Sequence, residues 1–202
     1  NADELHGGNA YMVERGAFSG MDATKLVHPS SRTTVIAKAL ACIGLEVEFF
    51  GKAAHAAARP EEGINALEAL ILSYNNINAL REHVRDRARI HGVITDGGEA
   101  ANIVPAHAAG TFLVRAEDDD YLDALRERVL QCFRAGALAT GARLEYRWDE
   151  VRYRALCTNL TLAEVFAQNL RVLGREVLPP GPNGGLGSTD MGNVSAVVPA
   201  IH

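Results

Sequence analysis

The feature that most constrains this chain is a run of legible periodicities between residues 45 and 153. Leu45, Val47 and Phe49 alternate with Glu46 and Glu48, the two-residue period of a strand with one apolar face. Ile64, Leu67, Leu70/Ile71, Tyr74, Ile77, Leu80 and Val84 then recur at steps of three and four, which lays them along one helical stripe. Pro60-Glu61-Glu62 ahead of that stripe suits a helix entry, with acids at the positive end of the macrodipole. Residues 90–94 read as a strand closed by the Asp96-Gly97-Gly98 turn, and residues 111–115 as another. Asp118-Asp119-Asp120 opens a second helix with the stripe Tyr121/Leu122, Leu125, Val129 and Phe133, and Gly141 follows its end. Leu144, Tyr146 and Trp148 alternate with Arg143, Glu145 and Arg147 in a last, half-buried strand.

The order β-α-β-β-α-β with one-faced strands predicts an α+β unit. Two helices cover one face of a four-stranded antiparallel sheet and leave the other face wet, the ferredoxin-like arrangement. The flanks differ in character. Residues 8–15 predict a short helix, and the apolar run 23–27 ends at His28-Pro29. A further helix is expected over 161–173, with Leu162, Phe166, Leu170 and Leu173 in register and Thr161 with Glu164 as a capping box. A Pro- and Gly-rich loop, 179–185, follows. Residues 1–44 and 154–202 are expected to meet as one domain, with 45–153 inserted into it. Asn1-Ala2 matches the remnant of a cleaved tag, and both ends read as cuts through a larger protein.

Composition narrows the classes. With 48% hydrophobic and 22% charged residues, the chain is neither a disordered tail nor a fibre. A net charge of −5 gives no basic footprint for nucleic acid, and no apolar run is long enough for a membrane span. Cys42, Cys132 and Cys157 lie far apart without a CxxC pair, which predicts buried free thiols in a reducing compartment such as the cytoplasm.

Four groups carry candidate chemistry, each with a plainer alternative. Asp3-Glu4 with His28 offers carboxylate and imidazole donors of the kind zinc takes, although an acidic pair near a chain end is also ordinary solvated surface. Gly51-Lys52-Ala53-Ala54-His55-Ala56 leaves an imidazole uncrowded among small residues, as a donor to an oxyanion or as a surface loop histidine. Asn102-Ile103-Val104-Pro105 with Arg115 suits a carboxylate, or is a turn amide and a solvated strand guanidinium. The glycine-rich segment 184–193 lacks the Lys-[Ser/Thr] ending of a phosphate loop; its Ser188 and Asp190 suit a polar wall instead.

Three blocks in this order resemble metallopeptidase family 20, the zinc amidohydrolases related to aminoacylase and carboxypeptidase G. They are Asp3-Glu4 with Gly7-Gly8, Gly16-Ala17-Phe18, Asp22 and His28-Pro29; Gly51-Lys52-Ala53-Ala54-His55-Ala56 with Pro60, Gly63, Asn65 and Ala66; and Gly187-Ser188-Thr189-Asp190 with Gly192-Asn193-Val194-Ser195. The last block is most like the subgroup of aminobenzoyl-glutamate hydrolase and a dipeptidase of lysyl or ornithyl dipeptides. The resemblance implies that 45–153 is a ferredoxin-like lid and dimerisation domain. It would be inserted into part of an α/β zinc-exopeptidase catalytic domain, formed by 1–44 and 154–202. It makes Asp3 the general base, Glu4 and His28 metal ligands, and His55 the oxyanion donor in the partner subunit's site. Asn102, Arg115, Ser188 and Asp190 then bind substrate. Asp3 stands where the family usually has Glu, one methylene longer.

The implied cofactor is zinc, two ions in the intact enzyme. The implied substrate is an N-acyl amino acid, an aminobenzoyl-glutamate-like amide or a dipeptide. The family's other ligands lie upstream of Asp3 and beyond Ser195. His202, at a Pro-x-x-His spot, precedes the last of them in the subgroup that matches best. The 202 residues as they stand are therefore expected to be a cytoplasmic homodimer without hydrolase activity, with no nucleic-acid or membrane partner. The alternative is a ferredoxin-like module for dimerisation or small-ligand binding without catalysis.

Overall fold

A computed structural model describes residues 7–181 and 187–202. In chain order the elements are α1 (Gly8–Glu14), β1 (Thr24–Lys25), β2 (Ala41–Phe50), a 3-10 turn (Pro60–Glu62), α2 (Ala66–Arg81), β3 (Arg89–Asp96) and β4 (His107–Ala116). There follow α3 (Asp119–Thr140), β5 (Arg143–Trp148), α4 (Leu160–Val172), α5 (Met191–Ser195) and β6 (Ala200–Ile201). No helix among the described residues is long and apolar enough to cross a membrane. The chain divides into two compact units. One comprises residues 43–115 and 120–150, and the other gathers the described residues of 1–42, 116–119 and 151–202.

The first unit is the β-α-β-β-α-β arrangement. Its sheet has the order β3-β4-β2-β5, with β2–β5 and β3–β4 antiparallel. Leu45, Val47 and Phe49 are buried, while Glu46 and Glu48 face outward, as their alternation requires. Against them α2 buries Leu70 and Ile77, and α3 buries Leu122, Leu125, Val129 and Phe133. The Phe133 ring lies 4.9 Å from Phe112 and 6.5 Å from Phe49, which ties α3 to two strands at once. Each such side chain contributes about 2 kcal/mol by leaving water. Gly136 lets the helices approach: a Cβ there would meet Ser73 Oγ at 2.2 Å and the Ala69 carbonyl oxygen at 2.4 Å. Ser73 Oγ in turn donates to that carbonyl at 2.7 Å.

The second unit pairs β1 with β6 in parallel, Thr24 opposite Ala200 and Lys25 opposite Ile201. Leu156, Met191, Val194, Val198 and Ala200 form one buried cluster, and Val35, Ala163, Ala167 and Ile201 another. At Gly192 a Cβ would sit 1.8 Å from the Arg154 carbonyl oxygen, so α5 rests on backbone at this point.

Several local expectations are corrected. Pro60-Glu61-Glu62 does not open α2; it forms its own 3-10 turn. The chain then extends, Lys52 and Ile64 exchange backbone hydrogen bonds at 2.9 Å, and Asn65 caps α2 by accepting from the Glu68 N–H. Helix α4 is capped by Asn159, which accepts from Leu162, rather than by Thr161 with Glu164. Tyr146 is exposed, because β5 is an edge strand. Of the three free cysteines only Cys42 is buried. Cys132 is half-buried, its thiol pKa pushed up by desolvation, and Cys157 is exposed.

Candidate functional site

Two histidines meet because parallel strands present their carboxyl ends on the same side. The chain leaves β1 for Leu26-Val27-His28 and leaves β6 for His202, and the Leu26 N–H donates to the Ile201 carbonyl at 3.0 Å. The His28 and His202 rings come to 6.0 Å, centroid to centroid. His28 Nδ1 lies 2.9 Å from the Pro29 carbonyl oxygen. A carbonyl can only accept, so the proton sits on Nδ1 and the Nε2 lone pair is left for a ligand. That tautomer, fixed by a backbone partner, is the one a metal-binding imidazole needs. The donor set therefore fits zinc in kind. Among the described residues no group of three or more His, Cys, Asp or Glu gathers around a common point, and Asp3 and Glu4 lie outside the described residues.

Both histidines line a cleft of about 690 Å³ within this unit. Its described lining includes Lys25, Arg32, Lys38 and Arg175 and no carboxylate, which favours an anionic occupant. Ser188 is on that lining and Asp190 is not. Asp190 instead accepts from the Asn9 backbone N–H through Oδ2 and from the Asn9 side-chain amide through Oδ1, each at 2.8 Å. Gly7, the N-cap of α1, has no side chain to cap with, so a carboxylate from another element supplies the acceptor at the helix's positive end. Asp190→Ala is expected to lower stability by about 2 kcal/mol in urea unfolding, with Asp190→Asn recovering part of the loss.

In the first unit, the His55 and Asn102 blocks lie side by side. The Ala56 N–H donates to the Asn102 carbonyl at 3.0 Å, the Val104 N–H donates to the Ala54 carbonyl at 3.0 Å, and His55 bridges Ile103. His55 is exposed, and its Nδ1 accepts from the backbone N–H groups of Ala57 and Ala58 at 3.3 and 3.2 Å. Those bonds place the ring proton on Nε2, which faces outward as a donor. Gly51 makes the segment possible, since a Cβ there would be 2.0 Å from the Ile64 carbonyl oxygen. Arg115 is not part of this group. It pairs across from Arg89 near the far end of β4, eight residues from His107, or roughly 26 Å of strand.

One cluster was not foreseen. His107, the first residue of β4, reaches Asp96 Oδ2 with Nδ1 at 2.6 Å and Glu48 Oε2 with Nε2 at 3.1 Å. Its pKa is raised, chiefly by the hydrogen bond to Asp96 with Glu48 adding to it, and that of Asp96 is lowered by the same bond and by the Gly98 N–H. No sequence spacing announces it, because the three residues come from three strands. The sequence places His202 ahead of the family's last ligand, and the pairing of β1 with β6 brings it beside His28.

Residues 41–140 match the profile of the peptidase dimerisation domain. Over its whole length the chain is 38% identical to the Xaa-Arg dipeptidase of Mus musculus, of which it covers 47%. It is 34% identical over 174 residues to one of the p-aminobenzoyl-glutamate hydrolase subunits of Escherichia coli, covering 85% of this chain and 36% of that one. An aminobenzoyl-glutamate utilization protein from Klebsiella pneumoniae superposes with a TM-score of 0.74 at 24% identity, over 94% of this chain and 51% of that one. Aminopeptidase PepT from Bacillus cereus does so with 0.75 at 17%, over 98% and 53%. The chain thus spans between 36% and 53% of the length of these relatives. The element order, the sheet order and the similarity over the whole chain agree, and residues 41–140 are a peptidase dimerisation domain of the kind found in metallopeptidase family 20.

Proposed function

We propose that the intact protein is a zinc-dependent amidohydrolase or dipeptidase that releases an amino acid from an amide. The observation that carries this reading is the His55 imidazole, exposed with Nε2–H outward and backbone-paired to the Asn102 segment. The relatives named for Xaa-Arg and for aminobenzoyl-glutamate share one chemistry, an amide whose amine side is an amino acid with a free carboxylate. The cationic lining of the His28 cleft, with Ser188 on its wall, complements such a carboxylate.

Zinc, held by His28 and Glu4 with further ligands, would activate water and polarise the amide carbonyl. Asp3 takes the proton of the attacking water and returns it to the leaving amine. His55 Nε2–H donates to the developing oxyanion, in the site of a partner subunit. The Asn102 amide orients the substrate beside it. Arg115 and Asp190 keep no direct role in this scheme, given where they lie. The protein works as a homodimer through residues 41–140, in a reducing compartment such as the cytoplasm.

The test is hydrolysis by the intact protein, assayed for amine release from Xaa-Arg dipeptides and from aminobenzoyl-glutamate. Activity should disappear with a chelator and return with zinc. Absence of turnover after zinc reconstitution would refute the reading. The 202 residues alone support a second, narrower one. Matching a dimerisation domain and having two sheet edges, β3 and β5, they form an inactive dimer. Light scattering after gel filtration should give twice the chain mass, and a monomer at micromolar concentration counts against it.

A further inference from the structure

The His55 and Asn102 segments are loops, and loops need something to hold them in register. The chain leaves β2 at Phe50 and reaches His55 five residues later; it leaves β3 at Asp96 and returns to β4 at His107, with Asn102 between. The two feet of the Asn102 loop are therefore Asp96 and His107, and their side chains meet at 2.6 Å. Because β4 lies between β3 and β2, His107 also reaches across to Glu48, two residues before β2 ends, at 3.1 Å. A β-bulge between Ile94 and Asp96 displaces the register of β3 immediately before this contact. We propose that His107 is a positioning residue: bonded to Asp96 and Glu48 together, it staples the ends of three strands and so holds the Asn102 loop against the His55 segment. This deepens the proposed function by naming what sets the geometry of its lid residues.

The chemistry of the ring makes the staple conditional. Neutral imidazole has one donor and one acceptor, and a ring acceptor turned toward a carboxylate repels it. Only imidazolium donates to both carboxylates. The groups facing His107 are Asp96 from β3, Glu48 from β2, and the Phe50 ring at 5.1 Å, over which the Arg143 guanidinium of β5 lies at 4.3 Å. Glu145, paired across from Glu48, is engaged by Arg143. The raised pKa of His107 and lowered pKa of Asp96 fit this arrangement. The staple is complete above the pKa of Asp96 and below that of His107, and is lost as pH rises through the latter.

Amide hydrogen exchange by NMR on this 202-residue chain tests it without any substrate. The reporters are the Ala56 and Val104 N–H groups, which bond the two segments together, with Val129 in the buried face of α3 as reference. In the wild type, the reporters' protection factors should fall about tenfold between about pH 6 and about pH 9 while that of Val129 holds. In His107→Gln and Asp96→Asn the reporters should start low and lose this pH dependence. If reporter protection stays within about twofold of wild type in Asp96→Asn, or falls in parallel with Val129, the staple does not position these loops. If His107→Gln fails to fold, Asp96→Asn and the wild-type profile decide. An inactive intact enzyme with a pH-dependent staple would overturn only the catalytic reading; an active one with unchanged reporters would overturn only the staple.

Discussion

Replacing His55 by alanine in the intact enzyme is expected to lower kcat by on the order of 10²–10³, with KM little changed. The reason is geometric. The Nδ1 atom is already engaged by the Ala57 and Ala58 N–H groups, so the ring presents Nε2–H outward at no further ordering cost. A donor held this way gains strength as negative charge builds on the oxygen it faces, and contributes less to the neutral ground state. Removing it should therefore reduce kcat and kcat/KM together. The alanine variant also loses the acceptor that organises the turn after residue 55, a small stability effect of about 1 kcal/mol. His55→Asn separates the two, since an amide oxygen can still accept from the turn while its shorter side chain cannot reach the oxyanion. Steady-state kinetics of both variants, beside thermal melts, check the assignment. Turnover near wild type in His55→Ala removes it.

Gly51→Ala is expected to have a large effect on folding, about 3 kcal/mol of lost stability and a fall in melting temperature on the order of 10 °C. The methyl group would be placed 2.0 Å from the Ile64 carbonyl oxygen, 3.0 Å from the Ile64 carbonyl carbon and 3.1 Å from the Ala66 nitrogen. All three are backbone atoms, so no side-chain rotation relieves the contact. The segment must open, and with it go the paired hydrogen bonds between Lys52 and Ile64 that lead into the Asn65 cap of α2. Chemical denaturation of wild type and variant measures the loss, and a variant as stable as wild type would contradict the close approach.

These sites differ in how visible they were. The alternation of Leu45, Val47 and Phe49 and the stripe ending at Phe133 describe buried faces, and burial leaves a periodic trace in sequence. The helix entries mislead in sequence because a Pro with two acids, and a Thr with a Glu three residues on, are stronger local patterns than a lone asparagine. Asn65 and Asn159 cap because the strand ladder and β6 fix where the chain becomes helical. Gly51 stands in sequence among the small residues that leave His55 uncrowded, and in the structure it makes room for the Ile64 carbonyl. The separation of Arg115 from Asn102 was legible in principle: one precedes β4, the other stands near its far end, and a strand does not fold back on itself. Two relations were not legible. Asp190 meets Asn9 across 181 residues, and His107 bridges its two neighbours only because β4 lies between them.

The first and last strands of the four-stranded sheet, β2 and β5, are neighbours, and the Asp149 N–H donates to the Gly44 carbonyl at 3.0 Å beside their ends. The start of β2 and the end of β5 thus lie about 4.8 Å apart, one strand spacing. A sheet whose terminal strands adjoin in this way lets a chain enter and leave it at nearly one point, the property that makes a domain exchangeable as a block.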